Sequence, residues 1–331
     1  MNPKHLRLQW LVGAALIFSL AASAQAQSNN PFTGLPGNPA HRPILVKVSN
    51  EAAVRPQTGL SQADVVVEHY TEGNILRLTA LYHTALPTRI GSVRSCRLVD
   101  IELPTIFDAG ILCSGTSDGV MKRIAKSVVY QNELTMINNN GAFQGANGPL
   151  YRVNTARPPH NLFGDANKAL AVLQGRGKDQ PSQFRAWSFD AAAPAGVTSV
   201  KAVALPYATG RVGWTYNATA SLWNRSMVNR PHIDRANNQQ LTAANVIVVY
   251  AHHQATDIVE DRGGSRSIEI QLWGEGVAKV FRDGQLIEGT WQRPGQPNTL
   301  RFVDAKGNVI PLKPGNTWIE IVPIGFNIAT Q

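Results

Sequence analysis

Val65-Val66-Val67-Glu68-His69-Tyr70-Thr71 and Leu76-Arg77-Leu78-Thr79-Ala80-Leu81-Tyr82-His83-Thr84 are two β-branched and aromatic runs separated by the short segment Glu72-Gly73-Asn74-Ile75. Such runs suit a pleated surface, and the break near Gly73 predicts a hairpin. Upstream, Ile44 to Val48 reads as an apolar strand, and Gly59-Leu60-Ser61-Gln62-Ala63 as a short turn or helix leading to Asp64. Downstream, Arg97 to Phe107 has apolar residues at helical spacing, interrupted by Pro104. Ala109 to Cys113 is a short buried strand, and a helix is expected over Gly119 to Lys126. Alanine and leucine favour a further helix from Asp165 to Leu173. Strands mixed with helices make residues 43–190 an α/β or α+β domain with a mixed sheet.

Beyond Asp190 the texture changes. Ala191-Ala192-Ala193-Pro194-Ala195-Gly196 opens a linker over 191–204. Residues 205–331 then hold many short alternating segments: Gly213–Tyr216, Ser221–Met227, Asn245–Tyr250, Ser267–Trp273, Ala278–Phe281, Leu286–Trp291, Thr299–Val303 and Thr317–Val322. Asp283-Gly284 and Lys306-Gly307 stand where hairpins need positive φ. This half is predominantly β, as a sandwich, a barrel-like roll, or a continuation of one sheet shared with the first half.

At the N-terminus Lys4 and Arg7 precede an apolar run from Leu11 to Ala22, which is shorter than the roughly 20 residues a membrane helix needs. Ala24-Gln25-Ala26 is the small-x-small pattern of signal-peptidase cleavage, so residues 1–26 read as a signal peptide and 27–42 as an extended lead-in. The expectation is an exported protein, periplasmic or secreted, soluble after cleavage near Ala26, with no transmembrane anchor in the mature form. Cleavage lowers the formal net charge from +9 by two, since Lys4 and Arg7 leave and no acid does. The remaining basic residues are dispersed, which argues for solubility and against nucleic acid as a partner. The sequence has two cysteines, Cys96 and Cys113. An even count in an oxidising compartment makes a disulfide the natural inference, with two buried free thiols as the alternative.

Two sets of residues resemble a known family. Arg42-Pro43-Ile44, Asn50, Arg55-Pro56-Gln57-Thr58-Gly59-Leu60, Ala63-Asp64, Glu68, Glu72-Gly73, Arg77 and Ile90-Gly91-Ser92-Val93-Arg94-Ser95 form the first. Ile233-Asp234, Leu241-Thr242, Asn245-Val246-Ile247, Asp283-Gly284, Gly289-Thr290-Trp291 and Pro314-Gly315-Asn316-Thr317-Trp318-Ile319 form the second. Together they resemble the two domains of the YerB-like family of exported bacterial proteins, many of them lipoproteins, whose N-terminal domain has no assigned function. The resemblance covers nearly all of the mature chain. It implies a family and no mechanism. This sequence departs in lacking a cysteine at the cleavage site, so lipid tethering is not carried over.

Three constellations could carry chemistry. Gly115-Thr116-Ser117-Asp118-Gly119 matches G-x-S-x-G between an expected strand and an expected helix, the setting of a nucleophile elbow. Ser117 or Asp118 would serve equally as a helix N-cap, and His160 and Asp165 do not follow the Ser, acid, His order of that elbow. Glu68 and Glu72 share a strand face if the extension is regular, about 13 Å apart at the α-carbons. Paired glycosidase carboxyls stand roughly 5 to 10 Å apart. Ser117, Glu68 and Glu72 are therefore the candidate catalytic groups of an envelope glycan or peptide hydrolase.

The candidate ligand-binding set is Arg55, Gln57, Arg77, Arg94, Ser95, Arg97 and His160. Planar guanidinium groups grip carboxylate or phosphate bidentately, and a helix starting at Ser95-Cys96-Arg97 would add free N–H groups. The preferred reading is a protein that binds an acidic cell-wall polymer or a wall-synthesis envelope protein through this cleft. A salt-bridge network holding the sheet together would use the same residue types. No metal or cofactor is expected: His252 and His253 point to opposite faces of a strand, and neither HExxH nor paired CxxC is present. Trp214, Trp223, Trp273, Trp291 and Trp318 are expected in the core rather than on a sugar platform.

Overall fold

A computed structural model describes residues 28–193, 195, 197–295 and 298–331. The signal peptide expected over 1–26 lies outside the described residues. The strands used below are β1 (Ile44–Ser49), β2 (Val65–Tyr70), β3 (Leu76–Tyr82), β4 (Gly110–Cys113), β5 (Thr135–Ile137), β6 (Ala202–Tyr207), β7 (Gly210–Asn217) and β8 (Leu222–Met227). They continue with β9 (Asn245–Ala251), β10 (His253–Val259), β11 (Arg266–Ile270), β12 (Gly274–Arg282), β13 (Gln285–Arg293), β14 (Arg301–Val303) and β15 (Thr317–Pro323). The helices are α1 (Val99–Phe107), α2 (Asp118–Ile124), α3 (Val128–Gln131) and α4 (Ala166–Gly175).

The β2–β3 hairpin forms as its composition demands, with Val66 opposite Ala80 and Glu68 opposite Leu78. It sits in the middle of an eleven-stranded mixed sheet of order β14-β13-β12-β9-β15-β2-β3-β1-β4-β5, with Thr198–Ser199 added beside β13. Of the arrangements open for the second half, one shared sheet is therefore present. Strand β15 joins the halves by pairing parallel with both β2 and β9, which aligns Glu68 with Glu320 and Ile247 with Ile319. At the other end β1, β4 and β5 run parallel, fed by helical crossovers. The N-terminal region thus carries a mixed sheet, and the C-terminal region is mostly antiparallel.

Strand period decides what each face buries. One face presents Val46, Leu78, Val66, Trp318 and Val248, covered by α4 and by a second sheet of six strands built on β6, β7 and β8. The other presents Leu45, Leu81, Val67, Ile319 and Ile247, covered by α1, α2, Trp187, Phe302 and Leu312. Trp214, Trp223, Trp291 and Trp318 are buried as expected. Trp273 is not: it lies beyond the end of β11 and is 39% exposed.

Two local expectations change and a third is met. The helix expected to break at Pro104 runs through it, because α1 is held against β4 and α3. The segment before Pro43 is tied down: Phe32 is fully buried and stacks on Phe184 at 4.5 Å between ring centroids. Cys96 and Cys113 form a disulfide, with α-carbons 5.6 Å apart, that clamps the chain entering α1 to the end of β4. Closing a loop of this size is worth about 3 kcal/mol in the chain-entropy view. Among the described residues no helix is long and apolar enough to cross a membrane.

Candidate functional site

The polar residues singled out in the sequence separate into three clusters, because β1, β2 and β3 send alternate side chains to opposite faces of the sheet. The first lies between the two sheets. Glu68, Arg225 and Glu320 are each 0% exposed. Arg225 Nη2 donates to Glu68 Oε2 at 2.6 Å, and its Nη1 lies 3.4 Å from Glu320 Oε1. The guanidinium carbon sits 4.4 Å from the ring centroid of Trp318 and 5.2 Å from that of Trp214, where aromatic faces stabilise a cation stripped of water.

Hydrogen bonds close this cluster into a ring. Arg225 Nε donates to His232 Nδ1 at 3.0 Å, which leaves the His232 Nε2 hydrogen to donate to Gln57 Oε1 at 2.6 Å. Gln57 Nε2 donates to Asn50 Oδ1 at 3.0 Å, and Asn50 Nδ2 returns to Glu68 Oε1. Arg55 Nε reaches the same Asn50 oxygen at 3.3 Å. Burial, with the Arg225 charge beside it, holds His232 well below its ordinary value and keeps the ring neutral.

Two carboxyls share one arginine here, so one of them keeps its proton. Burial and the adjacent Glu68 carboxylate push Glu320 well above the ordinary carboxyl range. Tyr207 OH and Trp214 Nε1 donate to its two oxygens at 2.9 and 3.0 Å. A pH dependence follows. Above the unfolded value, near 4.5, the unfolded chain releases a proton that the fold retains, so stability falls as pH rises toward the folded value. Glu320→Gln removes that proton. The difference in urea midpoint between variant and wild type should shift in the variant's favour from about pH 5 to about pH 8. A pH-independent difference would mean that Glu320 is ionised in the fold.

The second cluster occupies the opposite face of the sheet. Glu72 does not continue β2 as a regular extension would. It enters a 3-10 turn over Glu72–Asn74, where Gly73 takes φ 62° and redirects the chain. Glu68 and Glu72 consequently share no hydrogen-bond partner among the described residues. Arg97 grips Glu72 through Nε, at 2.5 Å, and through Nη2, while Arg77 Nη2 lies 3.2 Å away. Burial pushes the Glu72 carboxyl up, but the Arg97 hydrogen bonds and the two guanidinium charges outweigh it and hold the group below its ordinary value. Burial, and then the charge of Arg97, lower Arg77 to about 10. Arg77 Nη1 donates to Ser95 O at 2.9 Å.

Deeper on this face lie residues that sequence reasoning missed. Lys47 Nζ meets Asp100 Oδ1 at 2.7 Å, His69 Nε2 at 2.8 Å and Thr79 Oγ1 at 3.0 Å. Burial lowers the lysine to about 8, opposed by Asp100. A charge set alone in Ile44-Leu45-Val46-Lys47-Val48 was the available signal. The anion expected at the start of α1 is internal: Asp100 Oδ2 accepts from Arg97 N at 2.6 Å, and the helix begins at Val99 rather than Ser95.

The third cluster opens to solvent. Arg94 Nη2 donates to Glu51 Oε2 at 2.7 Å and also contacts His160 Nδ1, while Nη1 donates to Pro159 O at 2.6 Å and Ser92 Oγ at 3.3 Å. The Arg94 side chain is 11% exposed, Glu51 37% and His160 30%. Burial raises the Glu51 carboxyl, and the hydrogen bond and charge of Arg94 outweigh it, so the group lies below its ordinary value.

Ser117 is the N-cap of α2: its Oγ accepts from Val120 N at 3.4 Å, with an ordinary extended backbone at φ −71°. The flanking glycines have packing reasons. Gly115 takes φ 129°, and a β-carbon on Gly119 would stand 2.5 Å from Ile258 Cγ2 of β10. His160 is engaged with Arg94, and Asp165 caps α4 by accepting from Lys168 N at 3.0 Å. The structure does not bring Ser117, His160 and Asp165 together.

Comparison with known proteins matches both halves of the chain to one family. The N-terminal-domain model of the family described as "Protein of unknown function (DUF3048)" matches residues 32–179, and its C-terminal-domain model matches 203–319. YerB of Bacillus subtilis (strain 168), named as a candidate lipoprotein, is 28% identical over 335 residues, covering 95% of this chain and 96% of YerB. The crystal structure of YerB from Bacillus subtilis is similar with a TM-score of 0.76 and 27% identity, covering 91% of this chain and 99% of that one. With both domain models matched in order and YerB aligned along nearly its whole length, the chain belongs to the YerB-like family of DUF3048 proteins.

Proposed function

We propose that the chain is an exported cell-envelope protein that binds an acidic group of a wall polymer or envelope partner at the edge formed by Glu51, Arg94 and His160. The observation that carries this reading is the state of Glu51: a carboxylate held by Arg94 with His160 beside it, yet 37% exposed on a turn with no buried residue. A carboxylate or phosphate on a ligand can take its place on the same guanidinium fork. Arg157, whose carbonyl accepts from His160 N, and Arg152, which donates to the adjoining Asn161, are both exposed and add positive potential. The Cys96–Cys113 disulfide supports residence outside the reducing cytoplasm. Binding is favoured over hydrolysis by the engagement of the candidate catalytic groups: Glu68 and Glu72 are each committed to arginines in separate clusters, and Ser117 to its helix.

The test is retention of purified protein on wall fragments, scored separately from product release. Arg94→Ala should weaken retention by about tenfold or more, the worth of a charge-assisted hydrogen bond. Glu51→Gln should strengthen retention, because it removes the internal competitor while leaving Arg94 in place. Unchanged retention in both variants, with melting curves like the wild type, rejects this edge.

A further inference from the structure

A groove of about 560 Å³ lies on the other side of the bridge between Thr58 and Gly91, and the Arg/Glu clusters do not contribute to it. Arg89 and Arg235 both line it, brought together from the two regions that the family models match separately. Neither arginine has an ion-pair partner among the described residues, and no carboxylate belongs to the lining. That differs from Arg77, Arg94, Arg97 and Arg225, each of which holds a carboxylate. Two guanidinium groups in one concavity raise each other's energy, and an anion bridging them removes that cost.

The walls are built rigidly. Asp234, 0% exposed, accepts from Gly59 N at 2.9 Å, Ser61 N at 2.7 Å and Ala236 N at 2.8 Å, fixing the segment around Gly59 against the turn that carries Arg235. Arg235 N donates to Gln57 O at 2.7 Å. On the opposite wall Tyr151 OH donates to Thr88 O at 2.9 Å, and the Arg89 guanidinium carbon lies 5.3 Å from the Phe163 ring centroid. The Arg89 charge is thus placed over Phe163, the backbone that carries Arg235 is fixed, and neither guanidinium has a hydrogen-bond partner among the described residues. Gln62 and Thr88 offer amide and hydroxyl groups beside them, and Leu86 gives an apolar surface. The volume falls within the range of small-molecule sites.

We infer that this groove binds a phosphomonoester of a polyol or sugar. The phosphoryl dianion bridges Arg89 and Arg235, and the ligand's hydroxyls meet Gln62 and Thr88. A phosphomonoester dianion offers three terminal oxygens and two charges to the two guanidinium groups, against two oxygens and one charge for a carboxylate. The site shares no side chain with the Glu51–Arg94–His160 edge and stands if that reading fails.

The test is titration calorimetry of the purified protein at low salt with glycerol 3-phosphate, inorganic phosphate and glycerol. Glycerol 3-phosphate should bind more tightly than inorganic phosphate, and glycerol should not bind. Arg89→Ala and Arg235→Ala should each weaken glycerol 3-phosphate by about tenfold or more. Both groove arginines are exposed, so these variants should melt like the wild type. Arg235→Lys, keeping the charge without the fork, should fall between. The inference is overturned by no heat up to about 10 mM ligand, by unchanged binding in the Arg89→Ala/Arg235→Ala double variant, or by inorganic phosphate binding as tightly as its glycerol ester.

Discussion

Arg225→Ala is expected to lower the unfolding free energy by about 3 to 5 kcal/mol, the usual cost of removing one partner from a buried ion pair. The reason is what remains. Glu68 keeps its place at 0% exposure and loses the donor at 2.6 Å, while His232 Nδ1 loses the Arg225 Nε hydrogen. Trp214 and Trp318 lose the group that packs against both rings. The ring through Asn50, Gln57 and His232 opens, and each member loses the polarisation that the closed ring supplies. Urea denaturation with the disulfide intact measures the effect. Adding Glu68→Gln to Arg225→Ala should recover part of the loss, since a neutral amide costs less to bury than an unpaired carboxylate. A single-variant loss under about 1 kcal/mol would show that water reaches the cluster and screens it.

Lys47→Met should have a comparable effect, about 3 to 5 kcal/mol, on the opposite face of the same sheet. Methionine fills similar volume, so the loss is electrostatic: Asp100, also buried, would keep only the Arg97 backbone donor on its other oxygen. Lys47 also fixes a tautomer. The ammonium donates to His69 Nε2, so the imidazole hydrogen sits on Nδ1 and donates to Tyr70 O at 2.9 Å. The pH profile carries a second signature. With the folded lysine lowered to about 8 against 10.5 unfolded, the unfolded chain binds more protons between those values, so wild-type stability gains from this group as pH rises through that window. The variant should lack that gain. Identical profiles for wild type and Lys47→Met would rule out a depressed lysine.

These two residues show where sequence reading succeeds and stops. The strands around Val67, Leu78 and Ile247 were legible because branched and aromatic runs bounded by turn residues have one good conformation. Helices α2 and α4 were legible through local spacing, composition and the capping chemistry at Ser117. The disulfide followed from two cysteines and an export signal. The chemistry of the clusters was legible only as residue types. Arginines and glutamates were visible around Arg77 and Glu68, but their sorting onto two faces needed the turn at Gly73, whose positive φ takes Glu72 off the strand.

The sequence by itself determined the family, the mixed and β-rich halves, most strand positions and the presence of an Arg/Glu constellation. Those properties depend on neighbours within a few residues or on whole-chain resemblance. Tertiary structure alone decided which charges are neutralised. Arg225 meets Glu68 across 157 residues, and Glu320 reaches Glu68 only because β15 inserts between β2 and β9. The same long-range pairing leaves Arg89 and Arg235 lining one groove without an ion-pair partner among the described residues. Strand pairing at that separation is selected by the burial of both sheet faces together, which no local window of sequence contains.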